Sequence, residues 1–176
     1  MKKSIIVYFS RAGSNWVNDK VENLKIGNGE ILAKYIQKKT SADLFKIETK
    51  HKYTDEYYTA TKEAKEELLS NKIPELIKYP DNIDGYDKIY LIYPIWWDTC
   101  PMGIMSILKK YDFTNKIIVP ICSHEGSGIA NSISDIKKNT NAIIKNAFET
   151  RGYRCQNINN DKELQVELDN FLEKNK

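Results

Sequence analysis

The sequence predicts a three-layer α/β protein: a five-stranded parallel sheet in the order 2-1-3-4-5, with helices on both faces. Three observations predict it. Apolar runs of strand length alternate with segments whose apolar residues recur at helical spacing. Three of those runs are apolar almost throughout, while two carry charged or amide residues, which sorts them into central and edge strands. Each central run also stops abruptly at polar, small or aromatic loop residues, and a parallel sheet gathers such loops at one end, where ligands bind.

The first strand is Ile5-Ile6-Val7-Tyr8-Phe9, ended by Ser10-Arg11-Ala12-Gly13. Residues 14–27 show no clean period. Ile31, Leu32, Tyr35 and Ile36 then mark a helix from about Asn28 to Lys38. The second strand, residues 42–48, alternates Leu44, Phe45 and Ile47 with Asp43, Lys46 and Glu48, so it suits an edge. Thr54 is a candidate cap for a helix whose face is Tyr57, Ala60, Ala64 and Leu68. Pro74 and Pro80 bracket a connector. Strand three, residues 88–95, is nearly continuous in apolar residues, and Pro101 starts a helix reaching residue 111. Strand four covers residues 117–122. Ile129, Ile133 and Ile136 mark a short helix, residues 142–148 a fifth, mixed strand, and Asn160 with Glu163 a capping pair for the last helix.

Composition narrows the function classes. A chain of 176 residues with 41% hydrophobic content fits one domain over 1–176. Its 27 basic and 24 acidic residues leave a net charge of +3 with no dense basic block, so no nucleic-acid partner is expected. Cys100, Cys122 and Cys155 form no CxxC or Cys/His spacing, which predicts free thiols in a reducing compartment and no metal site. The apolar run near the N-terminus is too short for a signal segment and none reaches 18 residues, so no membrane span is expected and a cytoplasmic location is.

The loops carry the chemistry. Ser10 to Gly13 after strand one offers N–H groups, a hydroxyl and the positive end of the next helix, a setting for phosphate or simply a turn. After strand three, Pro94-Ile95-Trp96-Trp97-Asp98 sets two adjacent indoles beside the predicted crevice; they contact a ligand or cover the core beneath the loop. After strand four, His124-Glu125-Gly126-Ser127-Gly128 permits close backbone approach to a planar ligand edge, or is a flexible turn. Together the three fit the phosphate and flat heterocycle of flavin mononucleotide (FMN). Related folds fail by inspection. Strand one ends in Ser10 rather than in the acidic cluster of a phosphate receiver; Ser106 and Gly128 stand where a Cys-x5-Arg phosphatase loop needs Arg; and no Gly-x4-Gly-Lys-Ser/Thr occurs. A flavin-free binding module stays open as a third option.

In the order Tyr8-Phe9-Ser10-Arg11-Ala12-Gly13, Gly27-Asn28-Gly29-Glu30, Tyr93-Pro94-Ile95-Trp96-Trp97 and Ser123-His124-Glu125-Gly126-Ser127-Gly128, the chain resembles the flavodoxin-like family. It resembles in particular a subgroup whose phosphate loop is split by an excursion, here residues 14–27. The resemblance implies that FMN is the cofactor and that Ser10, Arg11, Ala12, Asn28 and Gly29 cradle its phosphate, with Ser14 and Asn15 a contiguous alternative. Trp16 covers the phosphate or anchors the excursion. Trp97 and Trp96 would contact the ring, and His124 either donates to the flavin or is an ordinary loop residue. Ala12 and Gly29 replace the usual hydroxyl residues. Asp98 replaces a frequent Gly whose peptide turns toward flavin N5 when the flavin holds one electron, and a residue with a Cβ resists positive φ. Cys100 reads as structural. No residue is assigned a catalytic role. Two functions follow from the resemblance: an electron carrier serving a redox partner protein, or an NAD(P)H-dependent quinone or flavin reductase with a small acceptor, as monomer or homodimer.

Overall fold

The computed structural model of the chain describes residues 3–176. Its elements are β1 (Ser4–Phe9), β2 (Gly13–Val17), β3 (Lys20–Leu24), α1 (Asn28–Thr40), β4 (Asp43–Ile47), α2 (Tyr57–Leu69) and β5 (Lys88–Pro94). There follow α3 (Met102–Leu108), β6 (Ile117–His124), α4 (Ser132–Lys138), β7 (Ile143–Ile144), β8 (Phe148–Arg151), α5 (Gly152–Gln156) and α6 (Lys162–Lys174). The main sheet runs β4-β1-β5-β6, with β7 and β8 sharing the last edge, and every pairing in it is parallel. This is the order 2-1-3-4-5 that the burial pattern predicts.

Strand alternation divides the core in two. Ile5, Val7, Phe9, Ile89, Leu91 and Tyr93 face one way, against Ile104, Ile107 and Leu108 of α3 and Ile136 of α4. Ile6, Tyr8, Tyr90, Ile92, Val119 and Ile121 face the other, against Leu32, Ala33 and Ile36 of α1 and Leu164 and Leu168 of α6. Burying each large apolar side chain of this kind contributes ~1.5–3 kcal/mol, and both faces need it. That is why the central strands read as unbroken apolar runs.

Three local expectations are corrected. The fifth strand is not one piece over residues 142–148 but two, β7 and β8. Between the pairs Ile118↔Ile144 and Ile121↔Phe148 the edge carries residues 145–147 against only Val119 and Pro120, and Pro120 has no N–H to give that edge, so the ladder lapses there. Helix α2 is capped by Glu56, whose carboxylate accepts from the N–H groups of Tyr58 and Thr59. Thr54 instead donates to Glu63. Helix α6 is capped by Asp161, which accepts from Leu164 N–H at 2.8 Å and pairs with Arg154, rather than by Asn160 and Glu163. The stretch 14–27, which shows no period, folds as an antiparallel hairpin, β2 on β3, with Gly13 opposite Leu24. Short half-exposed strands carry no strong apolar alternation, so nothing in the pattern marks them.

Candidate functional site

The carboxyl ends of β1, β5 and β6 meet helix α2 and the hairpin around one cleft of about 410 Å³. At the β1 end, Ser10 Oγ accepts the N–H of Glu30 at 3.0 Å, so the hydroxyl caps the first turn of α1 from another segment. Two glycines make this approach possible. A Cβ on Gly27 would lie 2.4 Å from the Arg11 carbonyl oxygen and from Ser10 Oγ, and one on Gly29 would lie 2.2 Å from the Phe9 carbonyl oxygen. Residues 10–12 and 27–29 are therefore one structure, parted in sequence by the hairpin. The N–H groups opening α1 at Asn28 and Gly29 have no intrahelical acceptor, which leaves the helix start positive and able to hold an anion.

The Arg11 guanidinium is already engaged: it donates to the carbonyls of Thr54 at 2.6 Å, Asp55 at 2.9 Å and Ser14. It staples the loop before α2 to the loop after β1. Asn15 Nδ2 donates to the Gly13 carbonyl at 3.0 Å. What this end presents to a ligand is backbone more than charged side chain.

At the β5 end, Trp96 and Thr99 exchange backbone hydrogen bonds at 2.8 and 3.1 Å. They enclose a tight turn in which Trp97 and Asp98 both have positive φ, +49° and +62°. Two positive-φ residues mark a type I′ turn, which favours Asn and Gly, so a Trp-Asp pair stores strain here. The Asp98 carbonyl accepts from Asn131 N–H at 2.8 Å, tying the turn to the start of α4. The two indoles part company. Trp96 packs edge-on against Phe9 and Tyr53, ring centroids 5.2 and 5.1 Å apart, and belongs largely to the core. Trp97 is 45% exposed, donates its indole N–H to the Thr61 carbonyl at 2.8 Å and carries Lys65 Nζ 4.4 Å from its ring centroid.

At the β6 end Ser123 is buried, and His124 Nδ1 accepts the N–H of Gly126 at 3.0 Å. Burial lowers the His124 pKa, and a ring that accepts at Nδ1 carries its proton on Nε2, leaving that N–H as a donor. Glu125 Oε2 accepts from Asn18 N–H, at the hairpin tip, at 3.3 Å. Its Oε1 is buried beside Gly152, and burial raises its pKa against the opposing Asn18 and Gly152 N–H groups.

Of the residues predicted from sequence, Arg11, Asn15, Asn28, Pro94, Ile95, Trp96, Trp97, His124 and Glu125 line the cleft. Ser10 and Gly29 stand directly behind it, as the cap and the close contact described. Ala12, Ser14, Asp98, Gly126, Ser127 and Gly128 are not among the lining residues; Ala12, Asp98, Gly126 and Ser127 are exposed. Sequence reasoning missed the wall that α2 supplies: Tyr57, Tyr58, Ala60, Thr61 and Ala64. Its signal was present in Tyr57, Ala60 and Ala64, a face reading as ordinary core, whose two alanines are small enough to leave room for something else. Trp16 also lines the cleft and stacks on Tyr57 at 5.9 Å with 30° between planes. The cysteines are all buried and free, and burial pushes the Cys100 and Cys122 thiols up to about 12, which makes them inert. Among the described residues no His, Cys, Asp and Glu cluster suits a metal ion, and no helix is long and apolar enough to cross a membrane.

A family model described as flavodoxin matches residues 3–152. No curated protein matches the chain significantly. Among solved structures the chain is similar to a candidate flavoprotein of Bacteroides eggerthii DSM 20697, with TM-score 0.69 and 22% identity over 89% of this chain and 94% of that one. A second, from Bacteroides uniformis ATCC 8492, gives TM-score 0.62 and 20% identity over 90% and 98%. A flavoprotein in complex with FMN from Lactobacillus acidophilus NCFM gives 0.59 and 19% over 85% and 93%. At these identities the likeness speaks to the fold.

Proposed function

The chain belongs to the flavodoxin family, and from that premise we propose that it binds FMN in this cleft and transfers electrons through it. We place it in the subgroup whose phosphate loop is split, with the hairpin as the insertion. One observation carries the reading: the loops after β1, β5 and β6 converge on a single cleft that Asn28 at the start of α1 and Trp97 both line. Its volume of about 410 Å³ lies in the ~300–1,000 Å³ range of small-molecule sites.

The residues present fit the group. Gly27 and Gly29 bring the N–H groups of α1 to the end of β1, where the clearances forbid any side chain, and those N–H groups suit a phosphate. Burial keeps the Glu125 carboxyl closer to its neutral form, which lessens the repulsion a phosphate would meet. Trp97 offers an aromatic face, held in orientation by Thr61 and Lys65. The neutral His124 offers an Nε2–H donor for an electron-rich ring edge. FMN supplies the redox chemistry when bound; the chain binds it, orients it and excludes water from one face.

Two arrangements follow from who exchanges electrons with the site: a redox partner protein, or NAD(P)H and a small acceptor. The second is favoured by the β5 turn. There Asp98 is held at φ +62° with its carbonyl accepting from Asn131, and its Cβ resists the turn toward a ligand that a glycine peptide makes. Anaerobic stepwise reduction of the FMN-loaded protein, followed by absorbance with NADH and NADPH tried separately, tests both. Two separable one-electron stages and no reaction with nicotinamide identify a carrier. Direct reduction by either nicotinamide in one two-electron stage identifies a reductase. Failure to bind FMN refutes both.

A further inference from the structure

Two residues one turn apart hold Trp97 to α2. Its indole N–H reaches the Thr61 carbonyl at 2.8 Å, and Lys65 Nζ lies over the ring, 4.4 Å from its centroid. That ammonium pairs with no carboxylate among the described residues. The sequence of α2 explains why. The residues three and four positions from Lys65 are Thr61, Lys62, Leu68 and Leu69, so the helix offers it no acid on its own face, and residues one or two positions away do not face it. Two of those, Glu63 and Glu67, accept instead from Thr54 and from the Tyr53 hydroxyl. Lys65 is exposed, while the ring it covers lines the cleft. A full positive charge therefore stands on the ring that meets the ligand.

Resting on the FMN reading, we infer that Lys65 is a positioning residue that favours the reduced flavin: through Trp97 its charge raises the affinity of the site for the reduced ring over the oxidised one. A hydride from a nicotinamide brings two electrons and one proton, so the ring that accepts it ends one negative charge richer. An indole against that ring opposes the gain, because it excludes water and presents the negative face of its quadrupole. A cation on the same indole offsets both by attraction across the ring. The oxidised ring carries no charge for it to act on. Toward the oxidised ligand Lys65 only steadies Trp97; toward the reduced one it also stabilises charge, which suits a site that takes a hydride.

The test is the ratio of affinities for reduced and oxidised FMN, given by the midpoint potential of the bound flavin against that of the free one, in the full chain and in Lys65→Met and Lys65→Arg. Titration of flavin fluorescence gives the oxidised affinity alone. Lys65→Met is expected to lower the ratio ~3–10-fold at low ionic strength while changing oxidised binding by less than ~2-fold, and Lys65→Arg to keep the ratio. Because the ammonium is exposed, the gap between the natural chain and Lys65→Met should close as salt is raised to ~1 M. A ratio unchanged in Lys65→Met, an equal weakening of both redox states, a ratio that Lys65→Arg lowers as far, or a gap that salt leaves intact overturns the inference and leaves the FMN reading standing. If the natural chain binds no FMN, both fall.

Discussion

Gly29 packs so closely on Phe9 that a Cβ at position 29 would stand 2.2 Å from the Phe9 carbonyl oxygen, a backbone atom that cannot swing aside. The contact joins the start of α1 to the end of β1, so it serves the fold and the anion end of the cleft at once. Gly29→Ala is expected to cost about 1–3 kcal/mol, as overpacking does, measured by denaturant unfolding. Because the shift falls on the phosphate end, it should weaken FMN more than riboflavin in parallel titrations. An equal effect on both would separate Gly29 from the phosphate.

The two tryptophans should behave oppositely. Trp97→Ala removes a ring that is 45% exposed, and is expected to loosen FMN ~10-fold or more, an aromatic face being worth ~1–3 kcal/mol to a stacked heterocycle, with little change in unfolding. Trp96→Ala takes away the ring packed between Phe9 and Tyr53 and should lower stability by at least ~2 kcal/mol. An unchanged FMN dissociation constant in Trp97→Ala would remove that ring from the ligand contact.

That difference between neighbours also marks how far the sequence can be read. The sheet order is legible because two-sided burial forces Ile5 to Phe9 and Ile89 to Tyr93 to be apolar throughout, and the three loops are legible because each follows such a run. Position within a loop is not legible: Trp96 and Trp97 carry the same side chain, and only the positive φ of the turn sends them apart. The α2 wall hides for another reason, since Ala60 and Ala64 have the composition of a packed helix face whether they meet a helix or a cleft. The hairpin leaves no trace in period because most of its residues are at least partly exposed. What did point to the split first loop was the family resemblance carried by Ser10-Arg11-Ala12-Gly13 and, beyond the excursion, by Gly27-Asn28-Gly29-Glu30.

Asp98 sits at φ +62° next to Trp97 at +49°. A left-handed residue with a Cβ costs roughly 1–2 kcal/mol, and a glycine there gives back about 0.5–1 kcal/mol through its freer unfolded chain. Asp98→Gly is therefore expected to stabilise the protein by a net ~0.5 kcal/mol, read from the unfolding midpoint. It should also make the two one-electron stages more distinct in a reductive titration. Identical titrations of both proteins would show that the peptide at 98 does not meet the flavin.

Glu125 gives the pH dependence. Its pKa is raised chiefly by burial; the Asn18 N–H, Arg151 and the Gly152 N–H act against that and Asp19 with it. A carboxyl whose folded pKa lies above its unfolded value holds its proton more tightly in the folded state. Its stabilising share is complete below the unfolded pKa of about 4.3 and is lost as pH rises through the folded value. Glu125→Gln keeps an oxygen for Asn18 and removes the charge. The variant should unfold at higher temperature than the natural protein at neutral pH, and the gap should close as pH falls toward 4. A bound phosphate beside Glu125 pushes the same carboxyl further up, so FMN binding takes up a proton and weakens with rising pH in the natural protein but less in Glu125→Gln. Calorimetric titrations in two buffers of different ionisation heat measure that proton directly, and no uptake at any pH would place Glu125 away from the phosphate.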